Sequence, residues 1–167
     1  MSHRNVVLIG MPGSGKSTIG VLLAKNLSCQ FLDSDLVIQE KIGSRLQDYI
    51  DKYGSAAFDE MEDQVNAGID VENTVIATGG SAVYGENAMR HFKEIGTVVY
   101  LRVSFEDLLE RIPNFESRGI SIPEGMTFQD LYNERIPLYE RYADITVDAG
   151  KKEIWSAVED ITEALGD

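Results

Sequence analysis

The chain has 167 residues, 43% hydrophobic and 26% charged, with 28 Asp and Glu against 15 Lys and Arg for a formal net charge of −13. That length and balance predict one soluble globular domain, residues 1–167, with a sizeable core. The negative field argues against nucleic acid, whose phosphates need a basic face, and against anionic membrane surfaces, while Cys29 as the only cysteine excludes an internal disulfide. His3 and His91 are too few for a metal cluster, and no apolar stretch approaches the roughly 20 residues a spanning helix needs. The N-terminus runs into a strand within a few residues, leaving no room for a signal peptide. The expectation is a cytoplasmic monomer whose partner is a small molecule.

Apolar runs alternate with helical patterns along the chain, as in a parallel sheet covered by helices. Val6 to Ile9 reads as a buried strand ending at Gly10, and Thr18 to Leu27 carries apolar residues at helical spacing. Phe31 and Leu32 form a second short strand closed by Asp33-Ser34-Asp35, and a helical pattern from Leu36 to about Ile69 breaks near Gly43 and Gly54. Thr74 to Ala77 is a third strand running into Gly79-Gly80-Ser81, followed by a helix from Glu86 to Ile95 and a β-branched strand from Thr97 to Val103. Ser104 and Asp107 mark the start of a helix from Phe105 to about Ile112. The irregular stretch from Pro113 to Met126 suits a mobile loop. Thr127 and Asp130 cap a helix reaching about Tyr142, Ile145 to Val147 is a fifth strand, and Glu153 to Leu165 is a closing helix.

The strongest motif is Gly10-Met11-Pro12-Gly13-Ser14-Gly15-Lys16-Ser17, a complete G-x-x-x-x-G-K-[ST] between a strand and a helix. Its glycines let successive N–H groups point into one concavity, and the following helix adds unpaired N–H groups at its positive end. Gly13, Ser14, Gly15 and Thr18 are expected around the phosphates, with Lys16 as a point charge on them and Ser17 offering its hydroxyl to Mg²⁺. ATP and Mg²⁺ are therefore the expected cofactors. Asp33 and Asp35 stand at the carboxyl end of the second strand, the edge where ligands bind in such sheets. Two apart on a strand, both carboxylates would face one site, one toward the metal and the other toward a substrate hydroxyl. The competing reading is a polar strand end in which Asp35 caps the helix at Leu36.

Together with Thr78-Gly79-Gly80, the stretch holding Arg111 and Arg118, and Glu134-Arg135-Ile136-Pro137-Leu138-Tyr139, these residues resemble the shikimate kinase family over nearly the whole chain. The resemblance implies a P-loop α/β fold, a five-stranded parallel sheet of order 2-3-1-4-5 with helices on both faces. It also implies substrate-binding helices at about 36–69 and a lid at about 112–126. By the same resemblance, Lys16 and Ser17 hold phosphate and Mg²⁺, Asp33 orients the metal through water, and Asp35 binds a substrate hydroxyl and steers its proton. Gly79 and Gly80 would present N–H groups to the substrate, Arg118 would reach the transferring phosphoryl group, Arg135 would grip a substrate carboxylate, and Arg111 resembles the arginine that stacks on adenine.

Two positions depart from the family. Phe58 and Glu62 match its helical motif, but Asp59 stands where the family has an arginine that pairs with the carboxylate of shikimate. If Asp59 faced that carboxylate at about 4 Å, the repulsion would be on the order of 4 kcal/mol at an effective dielectric near 20. An acceptor without the carboxylate, or with an amine near Asp59, would then suit the site better, unless Asp59 faces solvent and Arg45 or Arg141 substitutes. Ser81 replaces a third glycine, adding bulk and a hydroxyl where a positive φ or a close backbone approach is expected. The reading is an ATP-dependent kinase acting on a hydroxyl of a small metabolite, with shikimate to shikimate 3-phosphate as the leading reaction. The alternatives are a kinase of another hydroxylated or amine-bearing metabolite, a gluconate or nucleoside-type kinase, and a non-catalytic ATP-binding module.

Overall fold

The computed structural model describes residues 4–112 and 122–166. The first strand, β1 (Asn5–Ile9), is buried along its whole length because it is the central strand, flanked on both sides. It pairs in parallel with β3 (Thr74–Ala77), Val6 opposite Val75, and with β4 (Gly96–Arg102), Val6 opposite Thr97. β2 (Gln30–Asp33) joins β3 and β5 (Ile145–Asp148) joins β4, giving the order β2-β3-β1-β4-β5, all parallel, as expected. All five carboxyl ends therefore open on one edge, where the chain leaves β1 through residues 10–15 and β3 through residues 78–79.

Helix α1 (Lys16–Leu27) packs against α8 (Ile154–Ala164) and against β1, β2 and β3. It begins at Lys16, two residues before the expected start, because Gly15 at φ 96 turns the chain so that Lys16 and Ser17 form its first turn. The long helical pattern resolves into α2 (Ser34–Ile42), α3 (Leu46–Tyr53) and α4 (Ser55–Ala67), with the breaks at Gly43 and Gly54. These three helices share a small core of Ile38, Leu46 and Phe58, separate from the main core around the sheet. Helix α5 (Glu86–Ile95) matches its expected span. Helix α6 (Phe105–Arg111) is capped by Ser104, whose hydroxyl accepts from the Asp107 amide. Helix α7 (Phe128–Tyr142) starts in a full capping box of Thr127 and Asp130. Among the described residues no helix is long and apolar enough to cross a membrane.

Three local readings need correction. Asp35 does not lie on a strand: Asp33 ends β2 and caps α2, its Oδ1 accepting from the Asp35 amide at 2.9 Å, so Asp35 sits in the first helical turn. The cap belongs to Asp33, not to Asp35. A 3₁₀ turn, Gly80–Tyr84, follows β3, in a stretch too short and mixed to carry a periodic signal. Ser81 within it does not have a positive φ, so the serine brings no backbone strain.

Candidate active site

The phosphate loop is shaped by its glycines and by its own lysine. Gly13 takes φ +85, and a Cβ there would stand 2.7 Å from the Ile112 side chain. The Lys16 ammonium donates to the carbonyls of Gly10 at 2.7 Å and Met11 at 2.8 Å, bracing the turn from within. Ser17, one residue on, donates from Oγ to Asp33 Oδ2 at 3.2 Å, joining the start of α1 to the end of β2. That hydroxyl and carboxylate are two hard oxygen donors side by side, and they fit a Mg²⁺ ion that takes most of its remaining ligands from phosphate and water. Among the described residues no group of three or more His, Cys, Asp or Glu could cage a metal by itself. Arg111, from the end of α6, donates to the carbonyls of Gly13 at 3.3 Å and Ala149 at 2.9 Å, and also to that of Gly150.

A cavity of about 410 Å³ opens from this loop toward α2, α4 and the 3₁₀ turn. Gly13, Gly15, Lys16, Ser17, Thr18 and Arg111 line one end, and Asp35, Glu62, Gly79, Gly80, Ser81 and Arg135 line the other. Ser14, which is buried, and Asp33, which is bonded to Ser17 on the wall, do not themselves line the cavity. Asp35 is raised to about 6, chiefly because burial penalises its charge and further because of nearby Asp33, with Lys16 opposing. Its Oδ1 accepts no hydrogen bond among the described residues. Arg135 is only 1% exposed, a cation enclosed by aromatic hydroxyls: its Nε donates to the Tyr84 hydroxyl at 3.3 Å and its guanidinium lies 5.2 Å from the Tyr84 ring centre. Tyr139, one turn later on α7, donates to the Gly80 carbonyl at 2.6 Å and fixes the glycine turn below the cavity.

The acidic residue that sequence reasoning left outside the site is Glu62. On α4 it is 1% exposed, accepts from the Ser81 hydroxyl at 2.5 Å, and is raised to about 8, mainly by burial with Asp35 and Asp59 adding to it. Its visible signal was that Phe58 and Glu62 together match the family's helical motif, to which no role at the site was attached. Asp59, expected to meet the substrate, is partly buried and does not line the cavity; its charge bears on Glu62 instead. Arg45 and Arg141 do not line it either, the first being exposed and paired with Asp48 at 3.1 Å. Arg118 lies outside the described residues, as does most of the expected lid.

A parallel sheet of this order, with a strand–G-x-x-x-x-G-K-S–helix unit at its carboxyl edge, defines a P-loop kinase fold. A thymidylate kinase from Candida albicans shares it at a TM-score of 0.68 and 13% identity, covering 99% of this chain and 92% of that one, which bears on the fold alone. The family model described as shikimate kinase matches residues 12–166, and the chain belongs to the shikimate kinase family. It is 36% identical over 159 residues to a shikimate kinase of Sulfurihydrogenibium sp. (strain YO3AOP1), covering 95% of each chain. A shikimate kinase from Acinetobacter baumannii, solved in complex with shikimate, superposes at a TM-score of 0.87 with 30% identity over 98% of this chain and 93% of that one.

Proposed function

We propose that the protein transfers the γ-phosphoryl group of ATP to a hydroxyl of shikimate, giving shikimate 3-phosphate. The observation that carries this reading is a single cavity with a phosphate cradle at one end and a carboxylate–arginine pocket at the other. The donor and acceptor can thus meet in line without crossing solvent. The shikimate bound to the Acinetobacter baumannii relative supports the choice of acceptor.

On this reading the loop amides around Gly13, Ser14 and Gly15 and the first turn of α1 at Thr18 bind the phosphates, and Arg111 lies against the nucleotide. Lys16 leaves the carbonyls of Gly10 and Met11 for the phosphate oxygens, a more highly charged partner. Ser17 and Asp33 hold Mg²⁺, directly or through water; when bound, the ion neutralises charge on the phosphates. Asp35 accepts the proton of the reacting hydroxyl. Its value of about 6 leaves it mostly ionised at neutral pH yet basic enough to take that proton as the new bond forms. Arg135 meets the acceptor carboxylate, and Gly79 and Gly80 let backbone approach the acceptor closely. Arg118 completes the donor side from the lid.

Asp59 does not line the cavity, so the close contact assumed for the repulsion argued from its position is absent, although its charge bears on Glu62 in the wall. The test is ADP release by the purified protein with shikimate and Mg²⁺-ATP, with gluconate and a nucleoside as competing acceptors. Shikimate-dependent turnover with a 3-phosphate product is the expected result. ATP binding without turnover, or preference for another acceptor, overturns the assignment.

A further inference from the structure

The 3₁₀ turn after β3 is tied to α7 at both of its ends. At its start, the Tyr139 hydroxyl donates to the Gly80 carbonyl at 2.6 Å. At its end stands Tyr84, whose hydroxyl accepts from Arg135 Nε at 3.3 Å and donates to Glu134 Oε2 at 3.2 Å. Arginine can only donate and an ionised carboxylate can only accept, so the direction of each bond is fixed. The single phenolic proton goes to Glu134, which leaves a lone pair of the oxygen for Arg135. The Tyr84 ring also lies against the guanidinium, with its centre 5.2 Å from Cζ. Burial holds the Tyr84 phenol above its ordinary value, with Arg135 opposing, so it keeps its proton through the neutral range.

Arg135 lines the cavity while being almost entirely covered, so it can present no more than an edge of its guanidinium. Nη1 lies 2.8 Å from the point where a Cβ on Gly80, another lining residue, would stand, which places the Nη edge at the cavity. Tyr84 grips the guanidinium through Nε and does not itself line the cavity. With so little of the cation exposed, a small rotation decides whether that edge is offered or withdrawn.

We propose that Tyr84 is a positioning residue for acceptor recognition: oriented by Glu134, its hydroxyl fixes Arg135 so that the Nη edge of the guanidinium meets the acceptor carboxylate. This rests on the kinase reading above, in which Arg135 takes that carboxylate, and adds how the arginine is aimed. A guanidinium held through Nε keeps its two Nη groups in one plane, and these can meet the two oxygens of a carboxylate in parallel. Glu134, phenol and guanidinium form one chain of donors, in which the carboxylate polarises the phenol. Tyr139 bears on the guanidinium from its own helix as well, so loss of the Tyr84 hydroxyl loosens the cation without abandoning it. The penalty then falls on acceptors that carry the negative charge, and the donor end is spared.

The experiment compares shikimate with its methyl ester, the same acceptor without the negative charge, and follows KM and kcat for both together with ATP KM. For the wild type, the ester KM is expected to stand at least about tenfold above that of shikimate. Tyr84→Phe keeps the ring and removes only the hydroxyl. It should raise shikimate KM by about tenfold and the ester KM by less than about twofold, with kcat and ATP KM little changed. Glu134→Ala, which leaves Tyr84 without its orienting carboxylate, should narrow the gap between shikimate and ester by about two- to threefold. Added to Tyr84→Phe it should change nothing further, because both act through one chain. Equal rises for shikimate and ester, or a matching rise in ATP KM, would mark Tyr84 as structural only and overturn the proposal. A wild type that does not distinguish the two acceptors, or additive losses in the double variant, overturns it as well. Should Tyr84→Phe fail to fold, Glu134→Ala decides alone, and an unchanged ester gap overturns it. Absence of wild-type turnover on shikimate would instead defeat the kinase assignment. The aiming of Arg135 is then decided by nuclear magnetic resonance of its Nε–H, assigned through contacts to the ring at position 84. Tyr84→Phe should shift that signal and speed its exchange with water, and a signal unmoved in both respects overturns the proposal.

Discussion

The two ends of the cavity are built by different means. The donor end is made of backbone: residues 10–17 curl through positive-φ glycines, the main core lies directly beneath, and the lysine that would serve the ligand braces the loop meanwhile. The acceptor end is made of side chains from α2, α4, α7 and the 3₁₀ turn, three of them acidic or basic groups taken largely out of water. Two of its walls, α2 and α4, rest on a separate small core of Ile38, Leu46 and Phe58. A backbone cradle recognises any polyphosphate and tolerates few substitutions, because its geometry is its chemistry. A pocket of side chains is selective, and it holds charged groups at a cost in stability.

The largest expected break is on the donor side. Lys16→Ala should lower kcat by about a hundred- to a thousandfold, the loss typical of removing one preorganised charge from a developing transition state; the check is ADP release at saturating ATP and shikimate. Paired glycine substitutions then separate the two ends. Gly13→Ala places an L-residue at φ +85 against Ile112 and should raise ATP KM by about tenfold through backbone strain of about 1–2 kcal/mol, with shikimate KM little changed. Gly79 sits at φ −73, where alanine is unstrained, but its methyl would meet Asp35 Oδ1 at 2.7 Å and Glu62 Oε2 at 2.9 Å. Gly79→Ala should therefore raise shikimate KM by about tenfold and spare ATP KM. Parallel steady-state titrations of both substrates decide whether the two losses fall on opposite sides.

This contrast also explains what the sequence made legible. The phosphate loop and the breaks at Gly43 and Gly54 are local signals, each a matter of adjacent residues with special backbone needs, whereas the strand order followed from the family resemblance and not from any local pattern. The acidic pair was found for a partly wrong reason: Asp33 and Asp35 reach the same region, yet through a strand end and a helix cap in place of alternate strand positions. Glu62 was named as a motif match but given no role, because an acid on an amphipathic helix ordinarily faces water, and only the fold brings Ser81, 19 residues away, onto its oxygen. Asp59 misled in the opposite direction, since its neighbours in sequence place it in the motif while the helix turns it away from the cavity wall.

Titration sharpens the comparison on the acceptor side, where the raised groups are. Asp35 must be ionised to accept a proton, so kcat/KM should fall about tenfold per unit as pH drops below about 6. A donor-side assay such as ATP binding should not follow that limb.

The last expected effect concerns folding and not catalysis. Glu62 stands at 4.5 when unperturbed and at about 8 in the fold, so between those values the native state holds a proton that the unfolded chain has lost. Stability therefore falls as pH rises through that window, and above it the fold must carry a buried carboxylate whose Ser81 bond and nearby Arg135 only partly offset the lost hydration. Glu62→Gln removes this dependence while keeping shape and the serine contact. At pH 5, where the folded carboxyl is neutral, the variant and wild type should melt within a degree or two of each other. At pH 9 the variant should be the more stable by about 4 kcal/mol, or several degrees in Tm for a chain of this size. Calorimetric melts at the two pH values measure the difference, and equal Tm gaps at both would mean that Glu62 is ionised throughout and that water reaches it.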